Sequence, residues 1–378
     1  MAISSIDSVE TVALEAPLTE QFGYAQEWVD TRTALLVRVE SSDGTVGWGE
    51  CWGPTAGTRG TVEEILRPVV VGEDPTDVER LYDRMYDVCR AAYQSVVPLP
   101  AISGVEIALW DLSGKLLGQP VSSLLGGRHR NETRTYATGH YFKPVEDLEE
   151  QYRRIVEEAT RNASLGALKL KVGLQLLGYG PDEDLELVRR VRDAVGEDVD
   201  LMVDANYAYD RPTARSVGER LAEYDVRWFE EPVRPEDLEG YADLRRTLSV
   251  PIAGGECHTP AEFDRLLDAD ALDVAQPDLC NVGGLTPARR LADRVRPYRT
   301  VAVVPHVWGT PIAIGASLQY IATLVDDAPL EFDRSPNPLR EELTADRFVE
   351  GDGSVPIPAD PGLGVELDPD AVEAYRVD

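Results

Sequence analysis

Two lysines are separated by a single residue in a chain that contains very few lysines. Only four of the 37 basic residues are lysines, at positions 115, 143, 169 and 171. The run 167–173 alternates small or apolar residues with Lys169 and Lys171, which predicts a strand with both ammonium groups on one face. Two close ammonium groups repel, so we expect the pKa of one to be lowered, making it a possible base. The alternative is two solvated lysines on an edge strand.

Six further ionisable residues recur along the chain after Lys171, each at the end of a short apolar run. They are Asp204, Glu230, Glu256, Asp278, His306 and Glu331, separated by 22 to 33 residues. That spacing is one strand-and-helix unit. In a parallel barrel all strand ends surround one mouth, where barrel enzymes carry their sites. The pattern therefore predicts that these side chains converge.

Three of these residues are carboxylates on adjacent predicted strands: Asp204, Glu230 and Glu256. Three carboxylates in a dry mouth repel one another unless a cation is bound between them. An all-oxygen set with open positions suits Mg²⁺. The alternatives are helix N-caps or salt-bridge partners, and Glu231 is the rival of Glu230 for the same role.

His306 and Asp278 are expected on neighbouring strands. A carboxylate behind an imidazole orients it and raises its pKa, which produces an acid/base pair. A divalent ion with a lysine on one side and this histidine on the other suits removal of a proton next to a carboxylate. The other histidines, His129, His140 and His258, are expected to be structural or peripheral.

The elements that must position these residues are an eightfold alternation of strands and helices. The predicted strands are 134–138, 167–172, 199–204, 227–230, 251–255, 272–276, 301–305 and 328–332. This order predicts an α/β fold with a parallel TIM-like barrel.

The first third of the chain has a different order of predicted elements, with strands first and helices after them. Two β-rich runs flank Asp43-Gly44, which predicts a hairpin. Helical patterns follow near 61–69 and 77–92. A third helix is predicted by an apolar stripe from Ile102 to Leu116, and it is expected to end at Gly118. We expect a compact α+β domain here. Its loops near 20–30 and 51–59 could close over a site, although many surface loops look alike.

The composition limits the classes of binding partner and the cellular location that we expect for this protein. The net charge is −31 and no local basic patch is visible, which argues against nucleic-acid binding. The acid spread over helices and the scarcity of lysine suggest a halophilic, salt-rich cytoplasm. The N-terminus lacks a signal-peptide pattern, no run approaches a membrane span, and the four scattered cysteines are typical of reduced thiols. We expect a cytoplasmic protein.

At these residues the chain resembles the enolase superfamily, in particular its mandelate racemase group. The motifs that carry the resemblance run from Ala108 to Lys115 and on to Gly127, and continue at Lys169-x-Lys171, 203–206, 228–232, 255–256, 276–278 and 305–306. The resemblance implies an N-terminal capping domain (1–125), a modified (β/α)7β barrel (126–335) and a C-terminal segment (336–378) that returns to the capping domain. It implies a symmetric homo-oligomer as well.

The resemblance also implies roles for individual residues. Mg²⁺ would be held by Asp204, Glu230 and Glu256. Lys171 would be one acid/base and the His306–Asp278 pair the other, while Lys169 and Glu331 would assist at the substrate carboxylate or enolate. Asn206 and Trp308 are further candidates for substrate contact.

The chemistry within the group is narrowed by the absence of any lysine after residue 171. Group members with a second lysine on the sixth strand are thereby excluded. Further stretches, such as 45–51, 136–139, 277–280, 305–310 and 331–338, resemble lactone-opening cycloisomerases of hexaric acids. That implies opening of a sugar-acid lactone by β-elimination. The alternatives are a sugar-acid dehydratase acting on an aldonate or aldarate and, further off, a hydroxy-acid racemase. Cys257-His258 after Glu256 and Asn281 after Cys280 depart from the pattern and leave the substrate open.

Overall fold

The computed structural model describes residues 4–94, 96–297, 300–345, 348 and 353–377. Among the helices of these residues, none has the length and apolar character needed to span a bilayer. The salt-rich environment rests on composition alone and stays a prediction.

The N-terminal part begins with an antiparallel sheet of three strands in chain order. They are β1 (Ile6–Gly23), β2 (Trp28–Ser41) and β3 (Val46–Cys51). The turn between β2 and β3 contains Gly44 at φ +85°, a left-handed conformation that glycine adopts without strain. The predicted hairpin at Asp43-Gly44 is confirmed.

Helices cover one face of this sheet. They are α1 (Thr55–Thr61), which continues through a π-helical segment (Val62–Leu66) into α2 (Arg67–Val70), then α3 (Val78–Tyr93), α4 (Leu99–Leu117) and α5 (Val121–Leu124). Helix α4 is buried along most of its length and ends at Gly118, whose φ of +64° is the usual left-handed stop. A β-carbon on Gly49 of β3 would lie 1.9 Å from the Gly104 carbonyl oxygen. Strand and helix therefore pack at backbone distance.

Eight strands form the parallel sheet of the barrel. They are β4 (Glu132–Thr138), β5 (Ala167–Lys171), β6 (Asp200–Asp204), β7 (Val226–Glu230), β8 (Ile252–Gly254), β9 (Val274–Ala275), β10 (Ala302–Val303) and β11 (Leu330–Asp333). From β4 to β10 each strand pairs with the next one along the chain, and β11 returns to pair with β4. All eight predicted strands are confirmed, and with them the predicted fold class.

Helices cross from strand to strand on the outside of the sheet. They are α6 (Leu148–Asn162), α7 (Pro181–Val195), α8 (Arg211–Leu221), α9 (Leu238–Thr247), α10 (Pro260–Asp268), α11 (Leu285–Val295) and α12 (Pro311–Thr323), with 3-10 turns at Ala163–Leu165, Leu174–Leu177 and Ala222–Tyr224. The carboxyl ends of all the parallel strands consequently open on the same side.

The C-terminal segment contains α13 (Pro338–Glu341), β12 (Ser354–Pro356), which pairs antiparallel with β4, and α14 (Pro369–Tyr375). Its backbone also bonds to N-terminal elements. The Leu363 N–H donates to Asp111 Oδ1 at 2.8 Å, and the Val377 N–H donates to the Ala13 carbonyl at 3.0 Å. The domain limits at 125 and 335 stay predictions.

Buried carboxylates join the N-terminal part to the barrel. Glu106 on α4 accepts from the N–H groups of Leu285 and Thr286 at the start of α11, each at 2.8 Å. Glu50 on β3 accepts from the Thr310 N–H and hydroxyl at the start of α12, the hydroxyl at 2.7 Å. A helix leaves its first N–H groups without partners, so each carboxylate caps a barrel helix from the neighbouring layer.

Candidate active site

Strand β5 carries both lysines into the mouth of the barrel, where they are buried. Lys169 Nζ lies 2.5 Å from Glu230 Oε1 on β7 and 2.6 Å from Glu331 Oε1 on β11. Lys171 Nζ donates to Asp204 Oδ2 on β6. The alternative of two solvated lysines on an edge strand is therefore wrong.

Among the protein's own groups, the predicted lowering of a lysine pKa is reversed. Burial by itself would lower the pKa of Lys169, but the carboxylates of Glu230 and Glu331 outweigh burial and raise it. Burial likewise opposes the charged form of Lys171, and Asp204 outweighs it, so the Lys171 pKa is raised as well. Mutual repulsion of the two ammonium groups is the smaller effect because each lies against a carboxylate.

The structure brings the predicted carboxylate trio together. Asp204, Glu230 and Glu256 are buried and each offers an oxygen within 4.8 Å of the others. Asp204 Oδ1 accepts from the Asn206 N–H at 2.8 Å. Glu230 Oε2 accepts from Trp228 Nε1 at 2.9 Å and from Gln276 Nε2 at 2.7 Å. The possible metal ligands are carboxylate oxygens that neighbouring groups hold in place, as an Mg²⁺ site requires.

Glu231 is placed differently from its neighbour Glu230. It follows β7 with φ +42°, is fully buried, and neither carboxylate oxygen has a hydrogen-bond partner. Its oxygen lies within 4.8 Å of a Glu256 oxygen and of Cys257 Sγ. Glu231 therefore faces a second group of ligand atoms beside the trio.

His306 and Asp278 meet as predicted. His306 Nδ1 lies 2.7 Å from Asp278 Oδ2, and His306 Nε2 lies 3.3 Å from Glu256 Oε2. Burial would lower the pKa of His306, but the carboxylates of Glu256, Glu331 and Asp278 raise it to about 9. In the strand order, β5 and β10 are separated by β6 to β9, and Lys171 contacts Asp204 while His306 lies beside Glu256, so the two groups approach the trio from different sides.

The two loops singled out in the first third reach the barrel mouth. Gln26 Nε2 donates to the Asn206 carbonyl at 2.6 Å. The Trp52 ring stands edge-on to the His306 ring, with 5.3 Å between centroids. Trp308 lies at the same rim, 6.1 Å from Trp52 by ring centroid. The N-terminal part thus forms one wall of the barrel mouth that contains the charged groups.

Sequence reasoning missed two residues of this wall. Arg32 on β2 donates to Asp333 Oδ2 at 2.8 Å and lies 4.8 Å above the Trp308 ring. The Tyr141 hydroxyl accepts from Trp308 Nε1 at 2.8 Å, and its ring lies 5.9 Å from Lys171 Nζ. Arg32 lies in the N-terminal sheet. Tyr141 comes three residues after the first predicted barrel strand but is not an acid, a lysine or a histidine, so the pattern of charged strand ends did not select either residue.

The remaining histidines are placed as follows. His140 is buried behind β5, with Nδ1 2.9 Å from the Lys169 carbonyl and Nε2 3.2 Å from Asn162. His258 Nε2 lies 3.0 Å from the Pro235 carbonyl. The His129 N–H donates to the Ala322 carbonyl at 2.7 Å. All of these contacts are to groups outside the trio, as expected for structural or peripheral histidines.

The charges of the mouth do not balance within the protein. Six buried carboxyl groups face three basic side chains: Asp204, Glu230, Glu231, Glu256, Asp278 and Glu331 against Lys169, Lys171 and His306. Burial and the neighbouring acids raise the pKa of Glu230 to about 7 and raise that of Glu231, as expected where carboxyl groups lack enough positive charge around them. The trio therefore fits a divalent cation for two reasons: its ligand atoms are oxygens, and the carboxyl groups of the mouth outnumber the basic side chains.

A parallel barrel with a carboxylate trio at its mouth, flanked by a lysine and a histidine–aspartate pair, defines the class of enolase-like barrel enzymes. Residues 148–371 match the "Enolase C-terminal domain-like" family and residues 8–126 match the "Mandelate racemase / muconate lactonizing enzyme, N-terminal domain" family. The chain belongs to this family of the enolase superfamily and is an enzyme.

Individual relatives cover the whole chain. D-galactarolactone cycloisomerase of Agrobacterium fabrum is 38% identical over 98% of this chain and 99% of its own. The crystal structure of 3,6-anhydro-D-galactonate cycloisomerase from Zobellia galactanivorans is also 38% identical, with a TM-score of 0.89 over 99% of this chain and 100% of its own. An L-talarate/galactarate dehydratase variant, solved with Mg and L-glucarate, is 28% identical, with a TM-score of 0.86 over 100% of this chain and 93% of its own.

Proposed function

We propose that this enzyme opens the lactone of a hexaric acid by Mg²⁺-dependent β-elimination. The observation that carries the proposal is the pair of acid/base groups on either side of the trio: Lys171 beside Asp204, and His306 on Asp278 beside Glu256. A site of this kind can take a proton from the carbon next to a carboxylate and return one elsewhere.

Asp204, Glu230 and Glu256 would hold the Mg²⁺. When bound, the ion supplies Lewis-acid stabilisation of the negative charge that develops on the substrate carboxylate. Trp228 and Gln276, which donate to Glu230, keep that carboxylate in one orientation. Asn206 does the same for Asp204 through its backbone N–H.

The chain's own groups then move the protons. Lys171 or His306, according to the face on which the proton lies, removes the α-proton in its neutral form. Mg²⁺ on Asp204 and Glu256 would favour that form, because the ion would offset the carboxylate charges that raise the pKa of both groups. Electrons of the broken C–H bond form the enolate, which expels the β-oxygen. The opposite group protonates the leaving group or the product enol. Lys169 offers a cation for the enolate, and Asp278 keeps the His306 ring oriented.

In a lactone the β-oxygen is the ring ester oxygen, so the leaving group is a carboxylate and the product is a 3-deoxy-2-keto diacid. The full-length similarity to a galactarolactone cycloisomerase supports this substrate. The absence of a lysine beyond residue 171 supports the use of histidine as the second acid/base. A homo-oligomer remains our expectation from the family resemblance, and a cytoplasmic location remains our expectation from the sequence pattern and the cysteines.

The second candidate is a sugar-acid dehydratase, in which the β-oxygen is a hydroxyl. The similarity to L-talarate/galactarate dehydratase favours this candidate. The same residues would act, with water as the leaving group. Cycloisomerase and dehydratase therefore differ in substrate and not in the proton-transfer groups.

The experiment is NMR of hexaric lactones, open hexarates and aldonates incubated with enzyme and Mg²⁺ in D₂O at high salt. A keto diacid formed from a lactone alone supports the cycloisomerase. The same type of product from an open sugar acid makes the enzyme a dehydratase. Deuterium at the α-carbon without elimination would instead indicate a racemase.

Single variants test the assigned groups in the same assay. Lys171→Ala and His306→Asn are each expected to abolish elimination, while one of them keeps α-deuterium exchange through the remaining base. Full activity in both variants would refute the two-base mechanism. A full rate in Glu256→Gln would refute the metal assignment.

A further inference from the structure

Beside the trio lies a second group of ligand atoms, two of whose members, Glu231 and Cys257, have no part in the proposed proton abstraction. Glu231, Glu256 and Cys257 each offer one atom within 4.8 Å of the other two. Glu256 belongs to both groups. The second group differs from the first in containing a thiol.

Glu231 is the unusual member. Its side chain is fully buried and neither carboxylate oxygen has a hydrogen-bond partner. A buried carboxylate normally has a hydrogen-bond partner, a counter-ion or a metal, because leaving it bare costs the full desolvation energy. Among the six carboxyl groups of the mouth named above, Glu231 is the one in which both oxygens are buried without a partner.

An ion has a route to this group. Cys257 is exposed, whereas Cys51, Cys89 and Cys280 are buried. Cys257 lines an open cleft of about 1230 Å³ together with Tyr207, Arg234 and His258. The thiol therefore faces solvent while the two carboxylates lie behind it.

We propose that Glu231, Glu256 and Cys257 form a second cation site, for a borderline or soft divalent ion such as Zn²⁺ or Co²⁺, with Glu256 shared between the two sites. Thiolate ligands select such ions over Mg²⁺. The thiol proton is released to solvent on binding. Three protein ligands leave a fourth position for water, as in open zinc sites.

The test is titration of the Mg²⁺-saturated full-length enzyme with CoCl₂ under reducing conditions. Thiolate ligation produces a sulfur-to-cobalt charge-transfer absorption that carboxylate ligation alone does not. We expect this absorption to saturate at one thiolate-bound cobalt per chain. Its absence in the wild-type enzyme would overturn the proposal, whatever the activity of the enzyme.

Variants separate the site from a bare surface thiol. Cys257→Ser should lose the absorption, and the matched control Cys89→Ser should keep it. Glu231→Gln should keep the thiol but bind cobalt at least about tenfold more weakly. An absorption that persists in Cys257→Ser, or unchanged cobalt affinity in Glu231→Gln, would overturn the proposal.

Discussion

The hydrogen bond between His306 and Asp278 makes the sharpest test of the proposed chemistry. Asp278 Oδ1 accepts from the Cys280 N–H at 2.7 Å, and Oδ2 faces His306 Nδ1 at 2.7 Å. In an Asp278→Asn variant the oxygen would keep the Cys280 bond, so the amide NH₂ would face His306. That donor would force Nδ1 to accept and would move the neutral ring's proton to Nε2.

The size of the effect follows from these contacts. A hydrogen bond to a charged group contributes about 1.5–3 kcal/mol, which corresponds to a factor of about 10 to 150 in rate. The inverted tautomer adds to this because Nε2 can no longer accept a proton. We therefore expect kcat to fall by about 10² to 10⁴, where the upper value is the loss caused by the wrong histidine tautomer in a Ser-His-Asp triad.

The assay is steady-state turnover of the substrate identified by NMR, with α-deuterium exchange measured in parallel. The control is Asp268→Asn, because Asp268 is an exposed partner of Arg294 at 2.6 Å and its loss should leave the rate unchanged. Turnover in Asp278→Asn within twofold of the control would mean that the imidazole orientation does not matter, and the reasoning would fail.

Three further predictions concern stability, metal and substrate contact. Burial raises the pKa of Glu106 from 4.5 to about 7, so its contribution to stability is full below about pH 4.5 and is lost as pH rises through about 7. Glu106→Gln should therefore reduce the difference between the urea midpoints measured at about pH 5 and at about pH 8. An unchanged difference would contradict this prediction. Chelation of Mg²⁺ should abolish α-deuterium exchange. It should also remove about 2.7 kcal/mol of stabilisation, the value for a 100-fold excess of ion over Kd, so the thermal midpoint should fall and should recover when Mg²⁺ is added back. Exchange that survives chelation would contradict the metal assignment. Trp308→Phe removes the bond to Tyr141 at 2.8 Å and should raise KM about two- to tenfold with little change in kcat, so an equal loss in kcat would argue for a role in the chemical step.

The order and type of the elements were predictable from the sequence because they depend on local patterns. Each barrel strand is a short apolar run between amphipathic helices, and the polar residue that ends it is adjacent in the chain. Parallel connection then requires that the strand ends meet, so the convergence of Asp204, Glu230 and Glu256 followed from their spacing. The pairing of His306 with Asp278 followed for the same reason.

Only the tertiary structure decided the electrostatics of the lysines. The sequence shows Lys169 and Lys171 as neighbours and therefore suggests that they repel. In the fold, Lys169 also meets Glu230 and Glu331, which are 61 and 162 positions away along the chain, and those contacts reverse the direction of its pKa shift. A pKa depends on the sum of all nearby charges, which exists only after folding.

The contacts that form the wall of the barrel mouth could likewise not be predicted from the sequence. Arg32 meets Asp333 across 301 positions, and Trp52 meets His306 from a loop with no chemical signature. The unpartnered carboxylate of Glu231 could be recognised only when every neighbour was in place. The sequence by itself determined the barrel and the residues that end its strands, because periodicity and order are local. The structure decided which charges touch and which remain alone, because those contacts join distant parts of the chain.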